Sequence, residues 1–185
     1  IGRLVGSEMC IRDRNKALQA RINEEILLFL GSRKSLHLAT LGSDGLPFAS
    51  YAPFAIDDES LCVVLSDIAV HGLNLKAHPE ASILIIEDED TATELFARKR
   101  LAYHVTAQAP QPGAIEWEKA VDALEYAHGK RPRQLSELED FQVFRLTPSS
   151  GRFVTGFGRA YSLEGGFLTR AQINHLQIGH RSRVS

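Results

Sequence analysis

The chain has 185 residues, of which 44% are hydrophobic and 24% are charged, and its formal net charge is −2. This composition is typical of one globular domain with a full hydrophobic core, and the small net charge does not indicate a surface that binds nucleic acid or a membrane. The two cysteines, Cys10 and Cys62, lack the paired spacing of a zinc site or a disulfide framework. No apolar run approaches the ~20 residues that cross a bilayer, and the first residues do not follow the signal-peptide pattern. We therefore expect a cytoplasmic protein.

The first segment divides into two parts with different patterns. Residues 1–14 have no clean period, and the stretch SEMCIRDR resembles translated sequencing-adapter sequence, so we expect a non-native leader there and a single domain over residues 15–185. From Asn15 to Leu30 apolar residues recur at helical spacing, and Gly31 is placed to end a helix. This helix is predicted to lie on a sheet.

Strand-like runs joined by turn signals come next. SDG predicts a first hairpin, in which Asp44 and Gly45 take positive φ, and DDES predicts a second hairpin. The segment DIAVHGLNLKAHPE predicts a short helix. The apolar run ASILIIED that follows predicts a strand that is buried on both faces.

The second half of the chain continues the pattern. RLAYHVTAQAP predicts a strand, and a longer helix is expected from about Ala114 to Gly129. Two closing strands are expected, with a turn between them at Pro148 to Gly151. Roughly six strands and three helices, with neighbouring strands joined by short turns, favour a mainly β (α+β) fold. Its expected architecture is an antiparallel barrel with peripheral helices rather than a doubly wound parallel sheet.

Two groups of residues are candidates for binding. ARKRL places Arg98, Lys99 and Arg100 at the mouth of a strand, where guanidinium groups suit a bidentate anion such as a carboxylate or a phosphate. The alternative is a solvated basic turn opposite the acidic run EDEDTATE. His175 and His180 lie in the last residues of the chain. They are either solvated side chains or a ligand or proton carrier that the tail delivers to a site built elsewhere.

Several segments, taken in order, carry a family resemblance: SRKSLHLATLGSDGLPFASYAPF, DIAVHGLNL, IIEDE, LFARKRL, DFQVFRL and GRFVTGFGRAY. The first resembles the opening hairpin of the FMN-binding split-barrel superfamily that includes pyridoxamine 5'-phosphate oxidase. Together they resemble the haem-utilisation branch of that superfamily, the HutZ and HugZ type. The resemblance implies a split β-barrel whose homodimer holds haem between its two protomers.

The resemblance also implies roles for particular residues. A histidine of the tail binds the haem iron, which assigns that role to His180, with His175 as the alternative. Asp140 matches the acidic residue that hydrogen-bonds this histidine, although an Asp there could equally cap backbone amides. Arg100 matches an arginine beside a haem propionate. His71 matches a histidine that lines the haem site or the dimer interface, although a structural, hydrogen-bonded histidine is the more common case.

The expected activity is oxidative haem degradation for iron acquisition, with a biliverdin-type product and release of iron. Oxygen and an electron donor or reductase are then required, and haem is both substrate and cofactor. Four phenylalanines near the expected site follow strand periods, which favours core packing over contact with a porphyrin: Phe141, Phe144, Phe153 and Phe157. An FMN-dependent oxidoreductase and a non-catalytic haem carrier or storage protein are the alternatives.

Overall fold

The computed structural model describes residues 2–165 and 172–176. The α-helices of this part are α1 (Gly2–Gly31), α2 (Val70–Ala77), α3 (Ile115–His128) and α4 (Arg131–Ser136). Its strands are β1 (Ser35–Leu41), β2 (Pro47–Pro53), β3 (Ala55–Asp57), β4 (Ser60–Ser66), β5 (Glu80–Ile86), β6 (Arg100–Gln108), β7 (Phe141–Gly156), β8 (Arg159–Glu164) and β9 (Gln172–His175). Two short 3-10 helices, Glu89–Thr91 and Leu95–Ala97, lie between β5 and β6. Within these ranges, no helix has both the length and the apolar character that crossing a membrane requires.

Antiparallel pairing joins all the strands into one curled sheet. The order is β2-β1-β5-β6-β7-β4-β3, with β8 added to β7 and β9 added to β8. Strand β7 connects the parts because its first residues pair with β4, its later residues with β6, and its last residues with β8. Strands β2 and β4 also contact each other, so the sheet curls into a half-closed barrel. The predicted mainly β (α+β) split-barrel fold with peripheral helices is confirmed.

Helix α1 packs on the inner face of this sheet, as the sequence predicts. Its residues Ile22, Ile26 and Leu30 are buried in the main core, and burial of such a side chain contributes ~1.5–3 kcal/mol. The ring of Phe29 lies 6.1 Å from that of Phe153 in β7, at an interplanar angle of 47°. The helical spacing of apolar residues therefore identifies the face of α1 that meets the sheet.

The start of α1 differs from the prediction. The helix begins at Gly2 rather than at Asn15, so the backbone of residues 2–14 continues the predicted helix. Extension of an existing helix fixes one residue for each hydrogen bond gained, which is far easier than starting a new helix. That the first fourteen residues are a non-native leader stays a prediction.

Helix α3 forms a second, smaller core on the outside of the barrel. The residues of that core are Trp117, Ala120, Val121, Leu124, Ala55, Cys62 and Val143. The end of α3 is tied to the barrel where His128 Nε2 lies 2.7 Å from the Phe54 carbonyl oxygen. The predicted bounds of this helix, about Ala114 to Gly129, agree with its observed range.

The predicted turn at Pro148 to Gly151 is wrong, because β7 runs through it without interruption. His104 pairs with Ser150 and Val105 with Pro148, so the register shifts by one residue on β7 at Ser149. Such a bulge accommodates a proline, which has no N–H to give to the ladder. The chain instead turns after β7, where Gly158 has a φ of 67°.

Two smaller expectations also need correction. In the first hairpin only Gly45 has positive φ (79°), whereas the Asp44 side chain accepts a hydrogen bond from the Leu46 N–H at 3.0 Å. In β5 only Ile83 and Ile85 are buried. The strand is therefore buried on one face and only half-covered on the other, because no layer of the described protomer packs over that outward face.

Candidate functional site

The three basic residues of ARKRL have different surroundings. Arg98 donates to the Glu87 carbonyl oxygen and pairs with Glu89 at 3.2 Å. Lys99 pairs with Glu25 of α1 at 2.9 Å. Arg100 is the first residue of β6 and donates to the Arg98 carbonyl oxygen at 3.0 Å. Of the three, Arg100 lines the cleft described next.

This cleft, which we call the arginine cleft, has a volume of about 230 Å³. Its two charged residues are Arg100 and Arg152, and the rest of its lining is apolar or glycine: Phe96, Ala97, Val154, Gly156, Phe157, Gly158, Ala160 and Leu176. Phe96 is 88% exposed and Phe157 62% exposed. Large aromatic side chains in contact with water at the edge of a cationic cleft are typical of a surface that binds a ligand or a partner. The expectation that Phe157 packs in the core is therefore wrong.

The sequence reasoning missed Arg152 and Phe96. Arg152 pairs with Ala102 in the ladder, and Arg100 pairs with Val154, so the two arginines extend from adjacent strands on the outward face. Alternation along GRFVTG could have identified Arg152, because its neighbour Phe153 is buried. The turn predicted at Pro148 to Gly151 interrupted the strand just before Arg152, so this alternation was not used to place Arg152. Phe96 lies in a 3-10 helix of three residues, which is too short to show a hydrophobic period.

His175 lies at the same end of the sheet as the arginine cleft. It pairs with Tyr161 of β8, its ring stands 5.2 Å from the Tyr161 ring, and its Nε2 lies 3.3 Å from the Gly158 carbonyl oxygen. The next residue, Leu176, and Gly158 both line the cleft. The neutral tautomer of an imidazole that donates through Nε2 keeps Nδ1 as an acceptor.

His180 lies outside the described residues. Asp140 and His71, by contrast, lie at the other end of β7. The Asp140 carboxylate is exposed, and its backbone oxygen accepts from the Asp67 N–H at 2.7 Å, just before α2. On α2, His71 Nδ1 lies 3.0 Å from Ser50 Oγ, and partial burial lowers the pKa of His71. Within one protomer the backbone of His175 therefore lies at the same end of the sheet as Arg100. His175 pairs with Tyr161, so its side chain lies on the face of the sheet opposite to Arg100, and Asp140 lies at the other end of β7.

The separation of Asp140 from His175 follows from the register. Asp140 directly precedes Phe141, the first residue of β7, whereas His175 is connected through Tyr161 to Phe153 near the end of that strand. Twelve residues of strand at ~3.3 Å each correspond to about 40 Å along the chain. The two residues therefore lie at opposite ends of β7 within one protomer.

Comparison with known proteins gives consistent matches. The family model described as pyridoxamine 5'-phosphate oxidase matches residues 22–155. The haem oxygenase HutZ of Vibrio cholerae is 41% identical over 168 residues, which are 91% of this chain and 94% of that protein. The non-canonical haem oxygenase HOZ of the Arabidopsis thaliana chloroplast is 31% identical over 157 residues, 82% of this chain and 46% of that protein.

Two solved structures are similar in both fold and sequence. Vibrio cholerae HutZ, described there as a haem storage protein, superimposes with a TM-score of 0.66 and 37% identity, covering 80% of this chain and 97% of that chain. Campylobacter jejuni ChuZ superimposes with a TM-score of 0.77 and 30% identity, covering 88% of this chain and 66% of that chain.

Proposed function

The chain belongs to the pyridoxamine 5'-phosphate oxidase family and, within it, to the HutZ type, and we propose on this basis that it binds haem and degrades it oxidatively. The ring opens to a biliverdin-type product, and the iron is released for use by the cell. The observation that carries the proposal is the arginine cleft, because it combines two guanidinium groups with an exposed apolar lining.

The residues of the arginine cleft suit the chemistry of haem. Haem has a broad apolar ring and two propionates on one edge, and Arg100 and Arg152 supply one cation for each propionate. Phe96 and Phe157 supply flat apolar surface for the ring. The cleft holds about 230 Å³, less than the ~300–1,000 Å³ of a pocket that encloses a small ligand. One protomer therefore supports only an edge of the ring, and further protein must cover the rest.

The iron ligand comes from the carboxyl-terminal segment. We assign it to His180 by the family pattern, with His175 as the alternative. Leu176 lines the arginine cleft, and this position supports a ligand from the segment that follows it. When bound, the iron and porphyrin supply the oxygen chemistry. The chain's own residues bind the propionates, hold the imidazole in one orientation and cover the ring from water.

We place Asp140 in this site across a dimer. It is separated from His175 by about 40 Å of strand, and the five residues from His175 to His180 can span at most ~18 Å. In a twofold dimer the same surface of both protomers forms the interface, so that a residue of one protomer contacts a different residue of its partner and the reciprocal contact forms as well. We therefore propose that Asp140 of one protomer hydrogen-bonds the ligand histidine of the other, which orients the ring and raises its basicity.

An exposed apolar surface beside Asp140 supports the dimer. Leu138 is close to Asp140 in the chain, and Ile68 is close to Asp67, to which the Asp140 backbone is bonded. Ile68 and Leu138, with Val70 and Leu73 of α2, are exposed hydrophobic residues. Large hydrophobic side chains that are exposed near one another are commonly covered by a partner. His71 lies on the same helix, so the proposal places it at this interface.

The proposal has further components that rest on sequence. It includes an electron donor or reductase as partner and a cytoplasmic location. Neither nucleic acid nor a membrane is expected as a partner, because the net charge of −2 gives no general attraction to polyanions. The two alternatives, haem storage without degradation and FMN binding, would give different results in the haem experiments.

A titration with ferric haem tests binding and names the ligand. We expect wild type to bind one haem per site with a sharp Soret band, and His180→Ala to lose that spectrum while His175→Ala keeps it. The reverse result would move the ligand to His175. If haem binds neither tightly nor saturably while FMN does, the haem proposal is wrong. Full retention of the spectrum by both variants would exclude ligation by this segment.

Mixed dimers test the shared site. Asp140→Asn with one affinity tag and His180→Ala with another are co-expressed, and the doubly tagged dimer is isolated. Since one of its two sites then contains both native side chains, we expect haem ligation and turnover near half of wild type. A site built within one protomer would leave the mixed dimer as defective as its parents.

A further inference from the structure

A second and larger cleft lies beside the arginine cleft. Its volume is about 470 Å³, and its lining includes Arg33, Lys34, Ser35, His37, Ile86 and Arg98. This volume falls within the ~300–1,000 Å³ of sites that hold a small molecule. Ala97 and Arg100 line the arginine cleft and Arg98 lines this one. Only the short segment 97–100 therefore separates the two clefts.

Each arginine of the second cleft pairs through Nη1 with one exposed carboxylate, while Nε and Nη2 of Arg98 also donate to the Glu87 carbonyl oxygen and hold that side chain in place. Arg33 pairs with Asp88 at 2.7 Å and Arg98 with Glu89 at 3.2 Å. The arginine side chains are only 21% and 17% exposed, whereas Asp88 and Glu89 are 70% and 75% exposed. Exposed ion pairs contribute ~0–1 kcal/mol. An incoming anion can thus replace these carboxylates on the guanidinium groups at little cost.

Lys34 adds a positive charge that no carboxylate balances within the described residues. Its backbone oxygen accepts from the Phe54 N–H at 3.1 Å, which fixes the start of its side chain, while the side chain is exposed. The lining has three cationic side chains and two carboxylates, Asp88 and Glu89, which give the cleft a formal charge of +1. Beside these groups, Ser35 offers a hydroxyl, and His37 and Ile86 form a flatter, less polar wall.

We propose that this second cleft binds a small organic anion, through a carboxylate, enediolate or phosphate group held by Lys34, Arg33 and Arg98. The rest of the ligand lies against His37 and Ile86. Its position, one short segment from the arginine cleft, suits a small reducing molecule. That last assignment rests on the proposed haem function, whereas the anion site itself does not.

The test uses the haem-free full-length protein, so that its failure is independent of haem binding. Ascorbate, in the absence of oxygen, and NADP⁺ are titrated separately by calorimetry at low salt. We expect saturable binding of one of them, weakened at least fivefold in Lys34→Gln. Lys119→Gln is the matched control, because Lys119 is also exposed but lies on α3, 3.6 Å from Asp58, and it should bind as wild type does.

The identity of the probe that binds decides the class of ligand. Binding of ascorbate alone identifies a small organic acid, and binding of NADP⁺ alone identifies a phosphate-bearing nucleotide. Arg100→Gln should bind the probe as wild type does. The proposal is overturned if neither probe binds saturably, if Lys34→Gln binds as tightly as wild type, or if Arg100→Gln abolishes binding, since the anion would then occupy the arginine cleft.

Discussion

Arg100 of β6 and Arg152 of β7 line one cleft from adjacent strands, because Arg100 pairs with Val154 and Arg152 pairs with Ala102. Side chains diagonal to each other across an antiparallel pair lie within reach of the same ligand. Two cations in one cleft suit a ligand that has two carboxylates on one edge.

Replacement of either arginine should weaken haem binding. A hydrogen bond to a charged group contributes ~1.5–3 kcal/mol, and because solvent reduces this at an exposed site, we expect Arg100→Gln and Arg152→Gln each to raise the Kd about tenfold. Haem titrations at fixed ionic strength measure the change. Arg131→Gln, an exposed arginine on α4, is the control. If both cleft variants bind haem with unchanged affinity, the haem propionates do not bind in this cleft.

His71 should make the stability of the protein depend on pH. Burial lowers its pKa from the ordinary 6.5, so the unfolded chain takes up a proton at a higher pH than the folded protein does. The contribution of His71 to the free energy of unfolding is complete above pH 6.5 and is lost as the pH falls through the pKa of His71 in the folded protein. We expect Tm to fall more from pH 7.5 to 5 in wild type than in His71→Gln. Parallel Tm profiles would refute this role.

Gly151→Ala should destabilise the barrel. An added Cβ at Gly151 would overlap the ring of Tyr103 and lie 2.6 Å from the Ala102 carbonyl oxygen. Overpacking of this kind costs ~1–3 kcal/mol, to be measured as the free energy of unfolding in urea. Gly31→Ala is the matched control, because nothing lies within 4 Å of its added Cβ. Equal stability of the two variants would mean that β6 and β7 can separate at Gly151.

Cys62 should be inert in the folded protein. Burial, with the nearby charge of Asp57, raises the pKa of its thiol to about 12, although Arg145 opposes this effect. At pH 8 only about one thiol in ten thousand is then ionised. In a Cys10→Ser background, we expect an aromatic disulfide reagent to label Cys62 only after denaturant is added. Rapid native labelling would mean that the α3 core opens readily.

The sequence predicted those features that depend on local pattern. The face of α1 followed from the spacing of Ile22 and Ile26, and the position of Arg100 followed from a basic triplet at the start of an alternating strand. Each signal is contained within a few neighbouring residues, and the structure keeps it because the alternation decides which face is buried.

The features that failed depend on pairing between distant segments. Pro148 and Gly151 have the composition of a turn, but pairing with β6 holds them in a continuous strand with one bulge. Because a turn was predicted just before Arg152, the sequence did not predict which face of the sheet Arg152 lies on. The distance from Asp140 to His175 was equally hidden, since it depends on the full length of β7, which no local signal determines. The homodimeric site is implied by the family resemblance and stays a proposal.

Single-turnover spectroscopy of the haem-loaded protein shows whether the chain degrades haem. Ascorbate is added in air, and the absorbance spectrum is followed together with release of iron to a ferrous chelator. We predict loss of the Soret band, appearance of a biliverdin-type spectrum and one iron released per haem. A Soret band that persists, with the iron retained, would contradict degradation and leave a protein that stores or carries haem.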